Sequence, residues 1–212
     1  DLMKKATDEI PGRIMVVFKN AGETLTLIRE SGIPDIYVTN KNSENQTGVS
    51  GKEASIDAFG SYLKKAGVMY RKLALSGAFH TPLFQSAADE LKVYLDGIYF
   101  KQKDSSRIIS NVTGKPYPND VVGVKDLLIT QITSPVEFIK SIEGVYRSGK
   151  SHFIEIGPGK ILIGLLKNIN IVNYVSTPSV DPRAGELVTY NKLIHTLEQT
   201  GKIFSPVAAK KQ

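Results

Sequence analysis

The sequence predicts an α/β fold in two successive parts. Between residues 13 and 75, short apolar strands alternate with amphipathic helices in the order β-α-β-β-α-β. Further along, a strand, a tight turn, an apolar helix and another strand follow one another, which is typical of a βαβ unit in a mainly parallel sheet. The 212 residues, 41% hydrophobic and 23% charged, have an ordinary globular composition.

The first part contains six predicted elements. Strands are expected at 14–18, 35–39, 47–50 and 68–73, and helices at 20–31 and 52–66. The first helix stops at Gly32, a residue type that favours a left-handed helix terminus. The polar run 40–45 is rich in turn formers and is predicted to be a connection. This order of elements is that of a ferredoxin-like subdomain.

The second part is predicted to contain longer elements. Helices are expected at 82–96, 124–132, 135–148, 160–168 and 186–200, and strands at 107–112, 152–156 and 171–175. The turn Gly157-Pro158-Gly159 precedes one of these helices, as a phosphate-binding loop would. Because Pro158 lacks the amide that such a loop needs, a structural turn is favoured.

The composition excludes several classes of function. The chain has no cysteine, which excludes a thiolate nucleophile and a Cys-based metal site and agrees with a reducing compartment. The longest apolar runs fall short of the roughly 18 residues that span a bilayer. The net charge of +6 comes from scattered basic residues, so a solvated surface is expected, although an acidic carrier protein would fit. Strands 14–18 and 47–50 lack the paired aromatics that stack on RNA.

Three histidines could supply an imidazole, and they lie too far apart for a helical metal motif. His152 and His195 are expected to be structural. His80 lies where a predicted strand meets a Pro-initiated helix, the kind of loop in which α/β proteins place reacting groups. Ser76 would lie about 13 Å away in an extended segment. Since the sequence contains no Gly-x-Ser-x-Gly elbow, a nucleophile for His80 would lie elsewhere.

Four segments carry a family resemblance: SGAFHTPLF at 76–84, SNVTG at 110–114, QITSPV at 131–136 and FIEIGPGKIL at 153–162. In order and spacing they resemble the malonyl-CoA:acyl carrier protein transacylases, the acyltransferase family of fatty acid and polyketide synthesis. The resemblance covers about residues 3–175. It implies the C-terminal part of an α/β-hydrolase-like core with a mainly parallel sheet. The implied parts are a helix end (1–12), the inserted ferredoxin-like subdomain (13–75), part of the large subdomain (76–176), and a C-terminal helix and linker (177–212).

The resemblance also implies a site. In the family, a serine of a Gly-His-Ser-x-Gly elbow takes a malonyl group from coenzyme A and passes it to the phosphopantetheine thiol of a carrier protein. His80 matches the general base and acid, and Gln131 matches the residue whose backbone carbonyl orients that imidazole. Asn111 matches a residue lining the same cleft. Phe79 matches a bulky ring that would disfavour an α-methyl substituent by about 1–3 kcal/mol.

Three family features match no position here: the serine elbow, the arginine that binds the malonyl carboxylate, and a glutamine of the oxyanion region. We therefore expect the C-terminal portion of an acyltransferase, inactive alone and cytoplasmic, that uses malonyl-CoA as substrate and no cofactor or metal. The expected partners are an acyl carrier protein, the coenzyme A thioester and the missing N-terminal segment, but no nucleic acid or membrane. Two alternatives are an acyl hydrolase of the same family, which would clear stalled acyl groups, and a non-catalytic module that docks carrier proteins.

Overall fold

The structure is a computed structural model that describes residues 2–101 and 107–199. The chain divides into two compact units, one ending at Arg147 and the other beginning at Ser148. No helix in the described ranges combines the length and the apolar character that crossing a membrane requires. The C-terminal linker expected after residue 199 lies outside the described residues.

The first unit contains six helices and four strands within its described residues. They are α1 (Leu2–Glu9), β1 (Gly12–Val17), α2 (Ala21–Ser31), β2 (Ile36–Ser43), β3 (Gln46–Lys52), α3 (Glu53–Lys65), β4 (Tyr70–Ser76), α4 (Gln85–Asp96), α5 (Val121–Thr130) and α6 (Phe138–Arg147). A 3₁₀ turn, Pro82–Phe84, precedes α4. The second unit contains β5 (His152–Pro158), α7 (Ile161–Leu166), β6 (Val175–Val180) and α8 (Glu186–Gln199).

Strands β1 to β4 form one antiparallel sheet in the order β2-β3-β1-β4. The chain order β1-α2-β2-β3-α3-β4 agrees with the predicted succession of elements. Met15, Val17 and Val49 of the sheet pack with Ile56, Phe59 and Leu63 of α3, and all six side chains are fully buried. Burial of these apolar side chains, worth about 1.5–3 kcal/mol each, stabilises the sheet against the helix.

Local signals that the sequence carries are present at α2. The Asn20 side chain accepts a hydrogen bond from the Glu23 amide at 2.8 Å, and the Glu23 carboxylate accepts one from the Asn20 amide at 3.3 Å. This capping box begins the helix. Gly32 ends it with φ of +63°, as predicted. Helix α5 begins earlier than predicted because the Asp120 side chain accepts a hydrogen bond from the Gly123 amide at 2.6 Å.

Two predicted elements of the first unit are corrected. The polar run 40–45 is not a connection throughout, because the backbone of β2 remains paired with β3 as far as Ser43 and leaves only Glu44 and Asn45 for the turn. The strand predicted at 107–112 does not form. There, pairing is limited to a short antiparallel contact in which Ile109 bridges Pro116, because the Gly114 amide bonds to the Ser110 carbonyl at 2.8 Å and closes a turn. A strand needs a paired neighbour along its length, and this turn allows only that short contact.

In the second unit, β5 and β6 pair in parallel on either side of α7, as a βαβ unit does. The strand predicted at 171–175 is wrong, because Asn173 has φ of +52° and strand geometry begins only at Val175. As a result, β6 crosses the predicted boundary between residues 176 and 177. Among the described strands, parallel pairing is confined to β5 and β6, and the mainly parallel sheet expected for the core stays a prediction. The hairpin makes β2 and β3 antiparallel, and the pairs β1–β3 and β1–β4 are antiparallel as well.

Candidate functional site

The loop after β4 carries His80. Gly77 turns the chain with φ of +118°, and its amide donates to the Gly12 carbonyl at 2.9 Å. A β-carbon on Gly12 would lie 2.7 Å from the Ala78 amide nitrogen, so only glycine allows this close approach. His80 then adopts φ of +60°, a left-handed conformation that costs a non-glycine residue about 1–2 kcal/mol. Contacts around His80 must offset that strain.

Two backbone carbonyls hold His80. The imidazole Nδ1 lies 2.9 Å from the Gln131 carbonyl oxygen, and the His80 amide donates to the Ile132 carbonyl at 3.1 Å. Because a carbonyl only accepts hydrogen bonds, the neutral ring carries its proton on Nδ1. This tautomer leaves the lone pair of Nε2 able to take a proton from another group.

The end of α5 makes these carbonyls available. The Gln131 amide still donates to Leu127 at 3.0 Å, and the Ile132 amide donates to Ile129 at 3.1 Å, so the amides of the last turn are satisfied. The carbonyls at a helix C-terminus have no partner within the helix. They also carry the negative end of the helix dipole. The expected pairing of His80 with the Gln131 backbone is therefore present.

Thr81, which no predicted motif role included, fixes the loop on both sides of His80. Its hydroxyl is fully buried and donates to the Ala78 carbonyl at 2.6 Å. The same oxygen accepts from the Leu83 amide at 3.3 Å and caps the 3₁₀ turn. Threonine directly before proline at a helix start is a signal that could have indicated this role. Ile132 holds the His80 amide through its backbone carbonyl, and its side chain, which packs against the cluster around Phe84, gives no signal of that role.

Phe79 is half-buried and belongs to an apolar cluster. Its ring centroid lies 5.2 Å from that of Phe84, with the two rings tilted by 55°. The cluster also includes Ala6, Ala78 and Ala87. A β-carbon on Gly77 would lie 2.6 Å from the Phe79 ring, so the ring rests on the chain just before His80. Its predicted role in substrate choice stays a prediction.

Asn111 is exposed and lies on the turn that replaces the predicted strand. Its backbone carbonyl accepts a hydrogen bond from the Glu137 amide at 2.7 Å, which joins the turn to the segment following Gln131. The structure therefore brings His80 and Gln131 into direct contact and connects Asn111 to them through the backbone. Its assignment to a substrate cleft stays a prediction.

The turn at 157–159 in the second unit is structural. The Glu155 carboxylate accepts hydrogen bonds from the Ile161 and Ile163 amides, both at 3.0 Å. Gly157 and Gly159 donate to the Ser179 hydroxyl and the Val180 carbonyl, at 2.9 Å and 2.8 Å. The amides that would bind a phosphate are therefore already occupied, as the preference for a structural turn implies.

An ion pair between a buried carboxylate and an exposed lysine lies next to this turn. Lys160 Nζ is 2.8 Å from the carboxylate of Asp181, a residue only 4% exposed. The hydrogen bond from Lys160 holds the pKa of Asp181 below its ordinary value, and a weaker bond from the Arg183 amide acts in the same direction. His152 and His195 of this unit are both exposed.

The chain is similar to known proteins in sequence and in fold. Polyketide biosynthesis malonyl CoA-acyl carrier protein transacylase of Bacillus velezensis is 32% identical over 171 residues, which are 80% of this chain and 57% of that protein. The crystal structure of malonyl CoA-acyl carrier protein transacylase from Clostridium perfringens is similar with a TM-score of 0.82 at 30% identity, covering 94% of this chain and 61% of that one. A malonyl-transacylase solved with its type II polyketide synthase acyl-carrier protein gives 0.75 at 29% identity, covering 84% and 57%.

This chain thus spans less than two thirds of each of these proteins. Residues 2–201 match the acyl transferase domain family, a match that includes the loop of His80 and the segment of Gln131. With nearly the whole chain matched to that family, and with the His80 imidazole held by the carbonyl that the resemblance indicated, the chain belongs to the acyl transferase domain family.

Proposed function

We propose that this chain provides the acid-base half of an acyltransferase that moves a malonyl group from malonyl-CoA to the phosphopantetheine thiol of an acyl carrier protein. The observation that carries the proposal is the contact between His80 Nδ1 and the Gln131 carbonyl at 2.9 Å. The names of its relatives, which include enzymes of polyketide biosynthesis, support the substrate and the carrier protein. A cytoplasmic location, which the absence of cysteine supports, is part of the proposal.

In the proposed reaction His80 moves one proton in each half. Nε2 takes the proton of a serine hydroxyl as the serine oxygen attacks the thioester carbonyl of malonyl-CoA. The protonated ring then gives that proton to the departing coenzyme A sulfur, which leaves a malonyl-serine ester. In the second half, His80 takes the proton of the carrier-protein thiol, whose sulfur attacks the ester. The proton returns to the serine oxygen.

The nucleophile is proposed to come from outside these 212 residues. The sequence contains no Gly-x-Ser-x-Gly elbow, and the chain spans 57% of the Bacillus velezensis relative. We extend the same proposal to the arginine that would bind the malonyl carboxylate. A segment that supplies both groups would be the third partner, beside the carrier protein and the thioester.

Phe79 is proposed to favour malonyl over α-methyl-substituted groups. Its ring is held against Phe84 at 5.2 Å and next to Gly77, so it cannot turn freely away from an acyl group that approaches His80. Steric exclusion of one methyl group is worth about 1–3 kcal/mol, a 10- to 200-fold preference. Asn111 is proposed to line the same cleft.

We further propose the division into subdomains that the sequence predicts. The antiparallel order β2-β3-β1-β4 supports a ferredoxin-like subdomain at 13–75. Residues 1–12 and 76–176 would then belong to the large subdomain, and residues 177–212, which begin inside β6, would contain the end of that strand, the C-terminal helix and the linker.

Intact-protein mass spectrometry after mixing with malonyl-CoA tests the function. The 212-residue chain is compared with the natural sequence extended upstream through its serine elbow, with and without a carrier protein. We expect acylation of the extended protein alone, followed by transfer to the carrier. The matched variant His80→Ala should slow acylation by about 10²- to 10⁴-fold.

Two results would contradict the proposal. Release of free malonate without transfer to any carrier protein would favour the hydrolase. An extended protein that binds carrier protein but is never acylated would favour the docking module.

A further inference from the structure

The segment 131–137 connects the end of α5 to the start of α6 and holds His80 at its first two residues. The Gln131 carbonyl oxygen lies 2.9 Å from the His80 Nδ1, and the Ile132 carbonyl accepts a hydrogen bond from the His80 amide at 3.1 Å. Only Thr133, Ser134 and Pro135 separate these carbonyls from the attachments at the far end of the segment. Since Pro135 restricts its own φ, the segment is a short and stiff tether.

The far end is attached through the backbone in two places. Val136 forms a parallel bridge with β2. Its amide donates to the Thr39 carbonyl at 2.8 Å, and its carbonyl accepts from the Lys41 backbone amide at 2.9 Å. The Glu137 amide donates to the Asn111 carbonyl at 2.7 Å. The segment that holds His80 is therefore anchored to the sheet and to the turn of Asn111.

A buried ion pair reinforces this anchor. The Glu137 side chain is 10% exposed, and its Oε1 accepts a hydrogen bond from Lys41 Nζ at 2.5 Å. Lys140 Nζ lies 3.2 Å from Oε2, but its side chain is 60% exposed. Because Lys41 belongs to β2, this pair joins the same two elements as the backbone bridge. Separation of the two side chains would leave each charge poorly compensated. The ion pair therefore disfavours any opening of the anchor.

We propose that Glu137, through its ion pair with Lys41, is a positioning residue for His80. It touches neither the imidazole nor the carbonyls that hold it. It instead keeps the segment 131–137 in the one arrangement in which the Gln131 carbonyl receives Nδ1. The structural part of this inference is independent of the proposed acyl transfer, and its effect on rate rests on that function.

The tautomer of the His80 ring tests the proposal without any activity. The tautomer is measured by NMR on the 212-residue chain labelled with ¹⁵N-histidine, at a pH at which the rings are neutral. The signals that disappear in His152→Gln and in His195→Gln belong to those residues, and the remaining signals belong to His80. The wild-type ring is expected as the Nδ1–H form. In Glu137→Ala we expect the ratio of Nδ1–H to Nε2–H to fall about three- to tenfold, the worth of one net hydrogen bond.

Matched variants separate positioning from mere stabilisation. Glu137→Gln retains an oxygen that can accept from Lys41 and should keep most of the wild-type ratio. Asp181→Asn removes another buried carboxylate that pairs with a lysine, Lys160, and Lys140→Gln removes the exposed partner of Glu137. Both should leave the His80 signals unchanged. If Glu137→Ala does not fold, Lys41→Met provides the same comparison.

A wild-type tautomer ratio in folded Glu137→Ala or, failing that variant, in Lys41→Met would overturn the proposal. In the extended protein, Glu137→Ala should lower kcat by about tenfold and leave KM for malonyl-CoA nearly unchanged, because it misplaces the base without removing a substrate contact. If the extended protein is never acylated while the ratio shifts as expected, the proposed function fails and the positioning role stands. If Glu137→Ala keeps both the wild-type acylation rate and the wild-type tautomer ratio, the positioning role alone fails.

Discussion

His80 Nδ1 and the Gln131 carbonyl oxygen lie 2.9 Å apart, although 51 positions separate the two residues in the chain. In the proposed function, this backbone carbonyl takes the place that an aspartate has in a serine hydrolase triad. The carbonyl sets the tautomer of the ring as an aspartate would, but it brings no full negative charge. A side-chain substitution cannot remove it.

The first prediction follows from that backbone role. Gln131→Ala keeps the carbonyl and should lower acylation of the extended protein by no more than about twofold, whereas His80→Ala should lose about 10²- to 10⁴-fold. Acylation rates from quenched-flow mass spectrometry provide the comparison. Equal losses in the two variants would show that the Gln131 side chain is needed.

The left-handed backbone at His80 predicts an unusual order of stability. His80→Gly and His80→Ala both lack the imidazole and differ only in how well they adopt φ of +60°. We expect the glycine variant to have the higher free energy of unfolding, by about 1 kcal/mol. At an ordinary helix or strand position glycine is instead the less stable by about 0.5–1 kcal/mol. Urea denaturation followed by circular dichroism measures the difference, and the opposite sign would refute the strained backbone.

Glu155 is predicted to be a structural cap. Glu155→Gln leaves one acceptor oxygen for two amides, at Ile161 and Ile163, and should lower the free energy of unfolding by about 1 kcal/mol. Glu186→Gln, an exposed change in the first turn of α8, is the control and should have a smaller effect. Inorganic phosphate should not raise the Tm of the wild type. A clear rise would instead indicate a phosphate site at the turn 157–159.

The ion pair between Asp181 and Lys160 predicts a pH dependence. The pKa of Asp181 is lowered from 3.8 when the chain folds, so the unfolded state binds its proton first as the pH falls. The contribution of the carboxylate to stability is therefore complete above pH 3.8 and is lost as the pH falls below that value. The difference in unfolding free energy between wild type and Asp181→Asn should therefore be smaller at pH 3 than at pH 6, as measured by urea denaturation at both pH values.

The control for this prediction is the same comparison in a Lys160→Gln background. Without the lysine, the largest cause of the lowered Asp181 pKa is gone. The difference in unfolding free energy caused by Asp181→Asn should therefore depend less on pH. An equal dependence in both backgrounds would show that Lys160 is not the cause.

Local patterns in the sequence were sufficient for much of the fold. The Gly32 terminus of α2 and the spacing of Ile56, Phe59 and Leu63 in α3 each belong to one helix, so neither signal needs the rest of the chain. The order of the motifs likewise indicated the family, and the resemblance indicated His80 and Gln131 as partners. These predictions succeed because the determining residues are close in sequence or share a motif.

Tertiary structure alone decided the rest. Whether residues 107–112 form a strand depends on a neighbour to pair with along their length, and the turn closed by Gly114 limits that pairing to a short bridge. The role of Ile132 depends on a backbone carbonyl, which no side chain reveals. Glu137 is an ordinary surface-type residue in the sequence, and the fold buries its carboxylate and pairs it with Lys41, 96 positions away. Periodicity and capping are properties of a short segment, whereas pairing, burial and the supply of free carbonyls depend on which distant segments the folded chain brings together.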